Sequence, residues 1–273
     1  GQPAPPAGDR RGRSGRRAAP PATVEELPRL IEEGDLQGTL HCHTTASDGR
    51  DTLRQMVEAA RSRGWTALGI ADHSRAAAYA GGLSIERLRE QGAEIEALRG
   101  ELPGFRILHG IESDILADGS LDYPDDVLAE LDYVVASVHS GFSRSRAEQT
   151  RRIERALRNP LTTIWGHPTG RLLLKRDAHE IDLDHLLEVA AEEGVIVEIN
   201  ANPLRLDLDW RWGERARELG IAVGIHPDAH STKGLDDVRY GVGVARKAGF
   251  RAADVINTLA PEALEERLRA RRR

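Results

Sequence analysis

The chain has 273 residues, a formal net charge of −6 and a single cysteine, so it is neither a basic nucleic-acid coat nor a disulfide-stapled scaffold. Hydrophobic residues make up 40% of it, yet no apolar run approaches the roughly 18 residues of a membrane span, which fits a soluble, cytoplasmic protein with a full core. Ten histidines against three phenylalanines is the unusual feature of the composition, and where those histidines fall decides the function.

Residues 1–22 hold five of the 13 prolines and five arginines against one acid, with almost no large apolar side chain. Such a segment cannot bury a core, so a disordered, solvated tail is expected there, followed by one folded domain over 23–273. No apolar stretch follows its arginines, as a secretory signal would require, and the chain has no initiator Met, which leaves a fragment and a free-standing protein both open.

From Val24 onward, short β-branched runs alternate with longer amphipathic ones, the pattern of βα units around a parallel sheet. Seven strands are predicted, at Gly38–His43, Ala67–Ala71, Arg106–Glu112, Tyr133–Ser137, Thr163–Gly166, Val195–Ile199 and Ala222–Ile225. Between them, Asp51 is placed to cap a helix that stops at Gly64, Ser84 one toward Leu98, and Asp182 one closed by Gly194. A last helix starts at Pro261 and runs into Arg271–Arg273, where cations suit its C-terminal end. The predicted fold is α/β, a closed barrel related to the (β/α)₈ type, with an open doubly wound sheet as the competing architecture. No glycine-rich dinucleotide motif or P-loop follows any strand, which removes the usual function of the open sheet.

Strand one reads Leu40-His41-Cys42-His43, and a period of two sets His41 and His43 on one face, with Leu40 and Cys42 on the other. Asp48 follows in the next loop, His73 ends strand two, Glu112 ends strand three, His139 follows strand four, His167 ends strand five, and Asp228 and His230 follow strand seven. Nine nitrogen and oxygen ligands thus collect at the C-terminal ends of six strands, the face where barrel enzymes carry their chemistry. That exceeds the set one tetrahedral zinc takes, so two or three divalent ions are implied, Zn²⁺, Mn²⁺ or Fe²⁺, with Glu112 able to bridge. Metals clustered in this way activate water and neutralise a phosphoryl group in transfer. None of the three lysines ends a central strand, so a bridging modified lysine is not available.

These residues resemble the PHP (polymerase and histidinol phosphatase) phosphoesterases, and in particular the C-terminal PHP domain of bacterial family X DNA polymerases. The carrying segments are HCHTTASDG from His41, ADHSRAAAYAGGLS from Ala71, HGIESDILADGSLDYPDDVL from His109, VVASVHS from Val134, GHPTGRLL from Gly166, EINANPLRLDLDW from Glu198 and PDAHS from Pro227. The resemblance runs from about Thr23 to Asn257. It implies a distorted (β/α)₇ TIM-like barrel with a trinuclear centre: His41, His43, Glu112 and Asp228 on one ion; Glu112, His139 and His167 on a second; Asp48, His73 and His230 on a third. Glu112, His139 and Asp228 are then the catalytic residues. The implied activity is 3′–5′ exonuclease or other DNA 3′-end processing in base-excision repair, with single-stranded or gapped 3′ ends as substrate and a polymerase half as a companion in the parent chain. Gly141 stands where a basic residue often follows the VHS motif, and no polymerase half precedes the barrel in this sequence. A small-molecule phosphomonoesterase of the histidinol-phosphatase type, or a catalytically silent structural module, are the competing functions.

Arg171 and Arg205 each follow a strand-end motif and are expected to hold a phosphate, with Asn200 and Asn202 orienting substrate from strand six. Strand six is read as having no ligand. Asp72 and Asp114 are expected to support the loops or the ligands, His109 to pack beneath helices, and His179 and His185 to lie on the surface. Trp210 and Trp212 are expected to pack a helix end.

Overall fold

The computed structural model describes residues 28–272; the tail expected over 1–22 lies outside them. Seven parallel strands run in chain order: β1 (Gly38–Thr39), β2 (Ala67–Ile70), β3 (Arg106–Asp114), β4 (Tyr133–Ser137), β5 (Ile164–Trp165), β6 (Ile196–Asn200) and β7 (Val223–His226). Each pairs with the next. The remaining seam, between β1 and β7, is closed by side chain and loop. Asn257 Nδ2 donates to the carbonyls of both Gly38 and Ile225 at 2.8 Å, and above it His43 N donates to Ala229 O at 2.8 Å. The result is a distorted (β/α)₇ barrel.

All seven expected strands are present, most with ends shifted by one or two residues. The first differs more. Its regular ladder stops at Thr39 and the chain bends at Leu40, so the expected alternation breaks there. Leu40 packs in the barrel interior with Ala67, Leu108 and Tyr133, on the same side as His41, while Cys42 packs outward. The interior is plugged by the Tyr133 ring, whose hydroxyl donates to Leu40 O at 2.6 Å. Gly110 makes room for it, since a Cβ there would sit 2.4 Å from the ring.

Helices α1 (Leu53–Ser62), α2 (Ile85–Glu101), α3 (Asp125–Ala129), α4 (Arg146–Arg158), α5 (Leu183–Glu193), α6 (Gly213–Glu218) and α7 (Val238–Lys247) bury their apolar faces against the outside of the sheet. Ser84 and Asp182 cap as expected, and Gly194 closes α5 in the left-handed conformation. The α1 cap is Thr52, whose hydroxyl accepts from Gln55 N; Asp51 is drawn away to accept from Thr232 N at 2.6 Å. Helix α8 (Pro261–Ala270) closes the bottom of the barrel with Leu264 and Leu268. Beyond it Arg271 donates to the carbonyls of Leu157, Asn159, Thr162 and Glu193, so this arginine is spent on the fold. No helix among the described residues is long and apolar enough to cross a membrane.

Candidate metal centre

The nine expected ligands meet at the C-terminal mouth. The bend at Leu40 and the pairing of residues 41–43 with the β7 loop turn both His41 and His43 inward. Three groups of side chains there could each hold an ion: His41, His43 and Asp228; His43, Asp48, His73 and His230; and His73, Glu112 and His139. The first matches the set implied by the resemblance apart from Glu112, whose Oε1 lies 3.4 Å from His41 Nε2. The second adds His43 to the expected set. The third takes His73 where His167 was expected, and His167 stands beside it with Nε2 2.9 Å from Glu112 Oε1. Glu112 is the hub: His41, His43, His73, His139 and His167 all approach its carboxylate within 3.7 Å.

The donor atoms suit cations. His41 Nε2, His43 Nδ1, His73 Nδ1 and Glu112 Oε2 are buried with no hydrogen-bond partner among the described residues. Each such atom costs about 1–3 kcal/mol if nothing satisfies it. On His41, His139 and His230 the ring nitrogen turned away from the cluster is held. His41 Nδ1 donates to Glu198 Oε1 at 2.6 Å, His139 Nδ1 to Asp114 Oδ1 at 2.6 Å, and His230 Nδ1 to Asp228 O at 2.9 Å. A carboxylate or carbonyl on one nitrogen fixes the tautomer that offers the other as a ligand. Two of the nine, His167 (φ 24°) and Asp228 (φ 53°), adopt positive φ, strain of the kind that collects at functional sites.

The charges are mutually dependent. Burial by itself would raise the Glu112 carboxyl, but His139, His41 and His73 outweigh it and hold it well below the usual range. Asp228 is likewise held down against its burial by His41 and His43. Burial opposes protonation of His139, yet Glu112 and Asp114 push it up to about 10.

Strand six is not silent. Glu198, passed over in the sequence, is fully buried and accepts four hydrogen bonds, from His41 Nδ1 (2.6 Å), His226 Nδ1 (3.1 Å), His167 N (2.6 Å) and Asn200 Nδ2 (3.1 Å). The signal was available: Glu198 and Asn200 share one face of an otherwise apolar strand, and a buried acid must be paired. Asn200 also reaches Asp228 Oδ2 at 3.2 Å. Asn202 is a loop residue whose side chain accepts from Leu204 N. Asp72 pins the loop carrying Asp48, accepting from Thr44 N, Thr44 Oγ1, Ser47 Oγ and Gln91 Nε2.

The two arginines part company. Arg205 lies at the site, with Nε 3.3 Å from Asp228 Oδ2 and Nη1 buried without a partner. The Arg171 guanidinium donates to the carbonyls of Arg205 and Leu206 and to Asp209, so it builds the loop that carries Arg205. His179 corrects the surface reading: it is buried, stacked on Phe142, with Nδ1 and Nε2 at Gln149 and Pro168 O. No helical periodicity governs that loop, so nothing in the sequence betrayed its burial. His185, on α5, is exposed enough to pair with Glu154 at 3.0 Å. His109 packs on α2 against Gly92, as expected. Trp212 packs on the core, and Trp210 lies under Lys247 and Arg211.

The chain has relatives among known proteins. The chain is 46% identical over 86% of its length to the DNA polymerase/3′-5′ exonuclease PolX of Bacillus subtilis, of whose length it spans 41%. It is 27% identical to a probable phosphatase of Thermoanaerobacter sp., over 80% of this chain and 89% of that one. Among solved structures, histidinol phosphate phosphatase from Lactococcus lactis, complexed with zinc, L-histidinol and phosphate, superposes with a TM-score of 0.54 at 17% identity, covering 79% of this chain and 94% of that one, a likeness of fold. Residues 39–202, from the first strand to the loop after the sixth, match the model of the PHP domain, and the chain belongs to that family.

Proposed function

We propose that this chain is a multinuclear metal-dependent phosphoesterase that processes DNA 3′ ends, as a 3′–5′ exonuclease. The observation that carries the proposal is the convergence of three ligand groups on the buried Glu112 carboxylate. The 46% identity to PolX, whose name includes that activity, favours a DNA end as substrate. Since the chain spans 41% of that relative, a polymerase half in the same parent chain is the natural partner.

His41, His43 and Asp228 would hold one ion, Asp48, His73 and His230 with His43 a second, and Glu112, His139 and His167 a third, of Mn²⁺, Zn²⁺ or Fe²⁺. Bound there, such ions supply Lewis acidity that eases deprotonation of water and offsets charge on phosphoryl oxygens. The protein's own part is to hold the geometry. Glu198 and Asp114 orient His41 and His139, Asn200 fixes the second oxygen of Asp228, and the free Nη1 of Arg205 is available to a phosphate oxygen. Glu112, His139 and Asp228 are the catalytic residues on this reading, and no side chain is needed as a covalent nucleophile.

The test is a comparison of a labelled single-stranded oligonucleotide with histidinol phosphate under the same Mn²⁺ conditions. The oligonucleotide should turn over faster, EDTA should abolish hydrolysis, and elemental analysis should find two to three ions per chain. His43→Ala and Asp228→Ala should abolish hydrolysis, while His185→Ala stays within about twofold, as surface changes usually do. Faster turnover of histidinol phosphate would replace the proposal with a small-molecule phosphatase, and activity in a metal-free protein would end it.

A further inference from the structure

Five large hydrophobic side chains are exposed among the described residues: Tyr79, Leu174, Leu204, Trp210 and Tyr240. Trp210 and Tyr240 are each covered by cations, Lys247 and Arg211 on one and Arg239 on the other. Tyr79, Leu174 and Leu204 stand on the loops that follow β2, β5 and β6, the end of the barrel that carries the ligands. Leu173 N donates to Leu204 O at 2.6 Å, so the last two share one paired rim.

Tyr79 is the most telling. Its side chain is 74% exposed, yet its ring centroid lies 6.3 Å from that of the ligand His73. The charges of Glu112, Asp114, Asp48 and Arg205 all bear on its hydroxyl. The ring therefore overhangs the mouth rather than pointing to bulk solvent away from it.

The loop beneath is built to hold it still. Ala77 and Ala80 on either side are buried, and backbone bonds run from Ala77 N to Ser74 O (3.0 Å), Ala80 N to Ala77 O (2.9 Å) and Leu83 N to His73 O (2.8 Å). Ala76 N and Arg75 tie the loop's start to Asp122. Gly82 packs so closely that a Cβ would sit 1.9 Å from Ser74 O. An aromatic fixed on a rigid loop, its ring 6.3 Å from that of a candidate metal ligand and with no cation over it among the described residues, has a π face open to a substrate.

We infer that Tyr79 is a substrate-specificity residue, the platform on which the base of the 3′-terminal nucleotide stacks while its phosphate sits at the ligand cluster. The inference rests on the proposed DNA-end activity and specifies its substrate as a base-bearing end. Stacking of a base on an aromatic side chain is sequence-tolerant, because every base has a π face. It therefore suits an enzyme that removes nucleotides in succession whatever their identity.

The experiment uses two single-stranded oligonucleotides that differ only in the 3′-terminal residue, deoxyadenosine in one and an abasic tetrahydrofuran residue in the other. The readout is the ratio of kcat/KM for the two ends, measured with Mn²⁺ for the wild-type chain, Tyr79→Ala, Tyr79→Leu and Tyr79→Phe. The wild type should favour the base-bearing end, Tyr79→Ala and Tyr79→Leu should reduce the preference tenfold or more, chiefly through KM, and Tyr79→Phe should retain it. A ratio unmoved in Tyr79→Ala and Tyr79→Leu, in a wild type that cuts both oligonucleotides, overturns the stacking role alone. A wild type that cuts neither overturns the DNA-end reading and the stacking role together.

Discussion

Glu198 shows how much of the centre depends on one side chain that is not itself a ligand. Its two oxygens accept from His41, His226, Asn200 and the backbone of His167, which ties β1, β5 and β7 to β6 beneath the ligands. Burial alone would push its carboxyl up, but His41 and His226 hold it well below the usual range, so it is an anion in the folded state. Glu198→Gln keeps the shape and removes the charge. It should lower metal affinity or activity about 10–100-fold, the usual cost of losing such support, and metal titration by calorimetry separates that from a loss of fold. His179 carries a different prediction. Burial lowers its pKa to about 4 from the ordinary 6.5, so the unfolded chain takes up a proton that the folded one refuses between those values. Its contribution to stability is therefore full above pH 6.5 and declines as the pH falls toward 4, by about 1–3 kcal/mol. Urea midpoints of wild type and His179→Gln at pH 5 and pH 7 should show the larger acid loss in the wild type; equal losses would refute it. The nine candidate ligands could be picked out because strand ends are where a barrel gathers chemistry. Glu198 sits mid-strand, where its alternation with Asn200 in an apolar run marks a buried, paired acid but not its partners, and His179 lies in an aperiodic loop, where only the packed structure shows what covers a side chain.

At the level of elements, the strands were readable from β-branched runs, and the helices from the caps Ser84 and Asp182 with Gly194 behind them. The one local departure, the bend at Leu40, reflects the β1–β7 seam, a contact between chain ends that no local pattern encodes. The loops after β5 and β6 act as a unit for a similar reason. Arg171, from the first, donates to Arg205 O, Leu206 O and Asp209 on the second, and Asp207 beside them accepts from Thr169 N at 2.9 Å. Burial raises the Asp207 carboxyl to about 6 despite the opposing Arg171, so the folded chain holds a proton there that the unfolded chain gives up, and this group costs the junction least in mild acid. Arg171→Ala should consequently destabilise the chain by about 1–3 kcal/mol, through orphaned carbonyls, and raise KM as the Arg205 loop loosens. Arg205→Ala should raise KM with little change in Tm. Thermal melts alongside kinetics distinguish them: a normal Tm for Arg171→Ala with impaired KM would return Arg171 to direct phosphate contact.

Across the whole molecule, charge sets how the mouth would meet a nucleic acid, the proposed substrate. Residues 23–273 carry a formal −10, the first 22 holding +4 of the chain's −6. At the mouth, Arg205 has a buried free nitrogen, and Arg176 lies over Phe142 with its donors on Gly170 O. These two arginines alone are few for tracking a backbone. Affinity for single strands falls with salt at a slope of about −0.7 per neutralised phosphate, so two contacts give a logarithmic slope of about −1.4. Raising salt from 50 to 200 mM should then raise KM for an oligonucleotide roughly sevenfold, far less than for a protein that grips an extended strand. The same arithmetic predicts a high KM for the isolated chain. Joining it to a DNA-binding module should lower that KM without altering kcat, because the linkage raises the local concentration of 3′ ends at an unchanged site. Steady-state kinetics of the isolated and fused chains at both salt concentrations check this, and a slope steeper than about −3 for the isolated chain would mean that the barrel carries a binding track of its own.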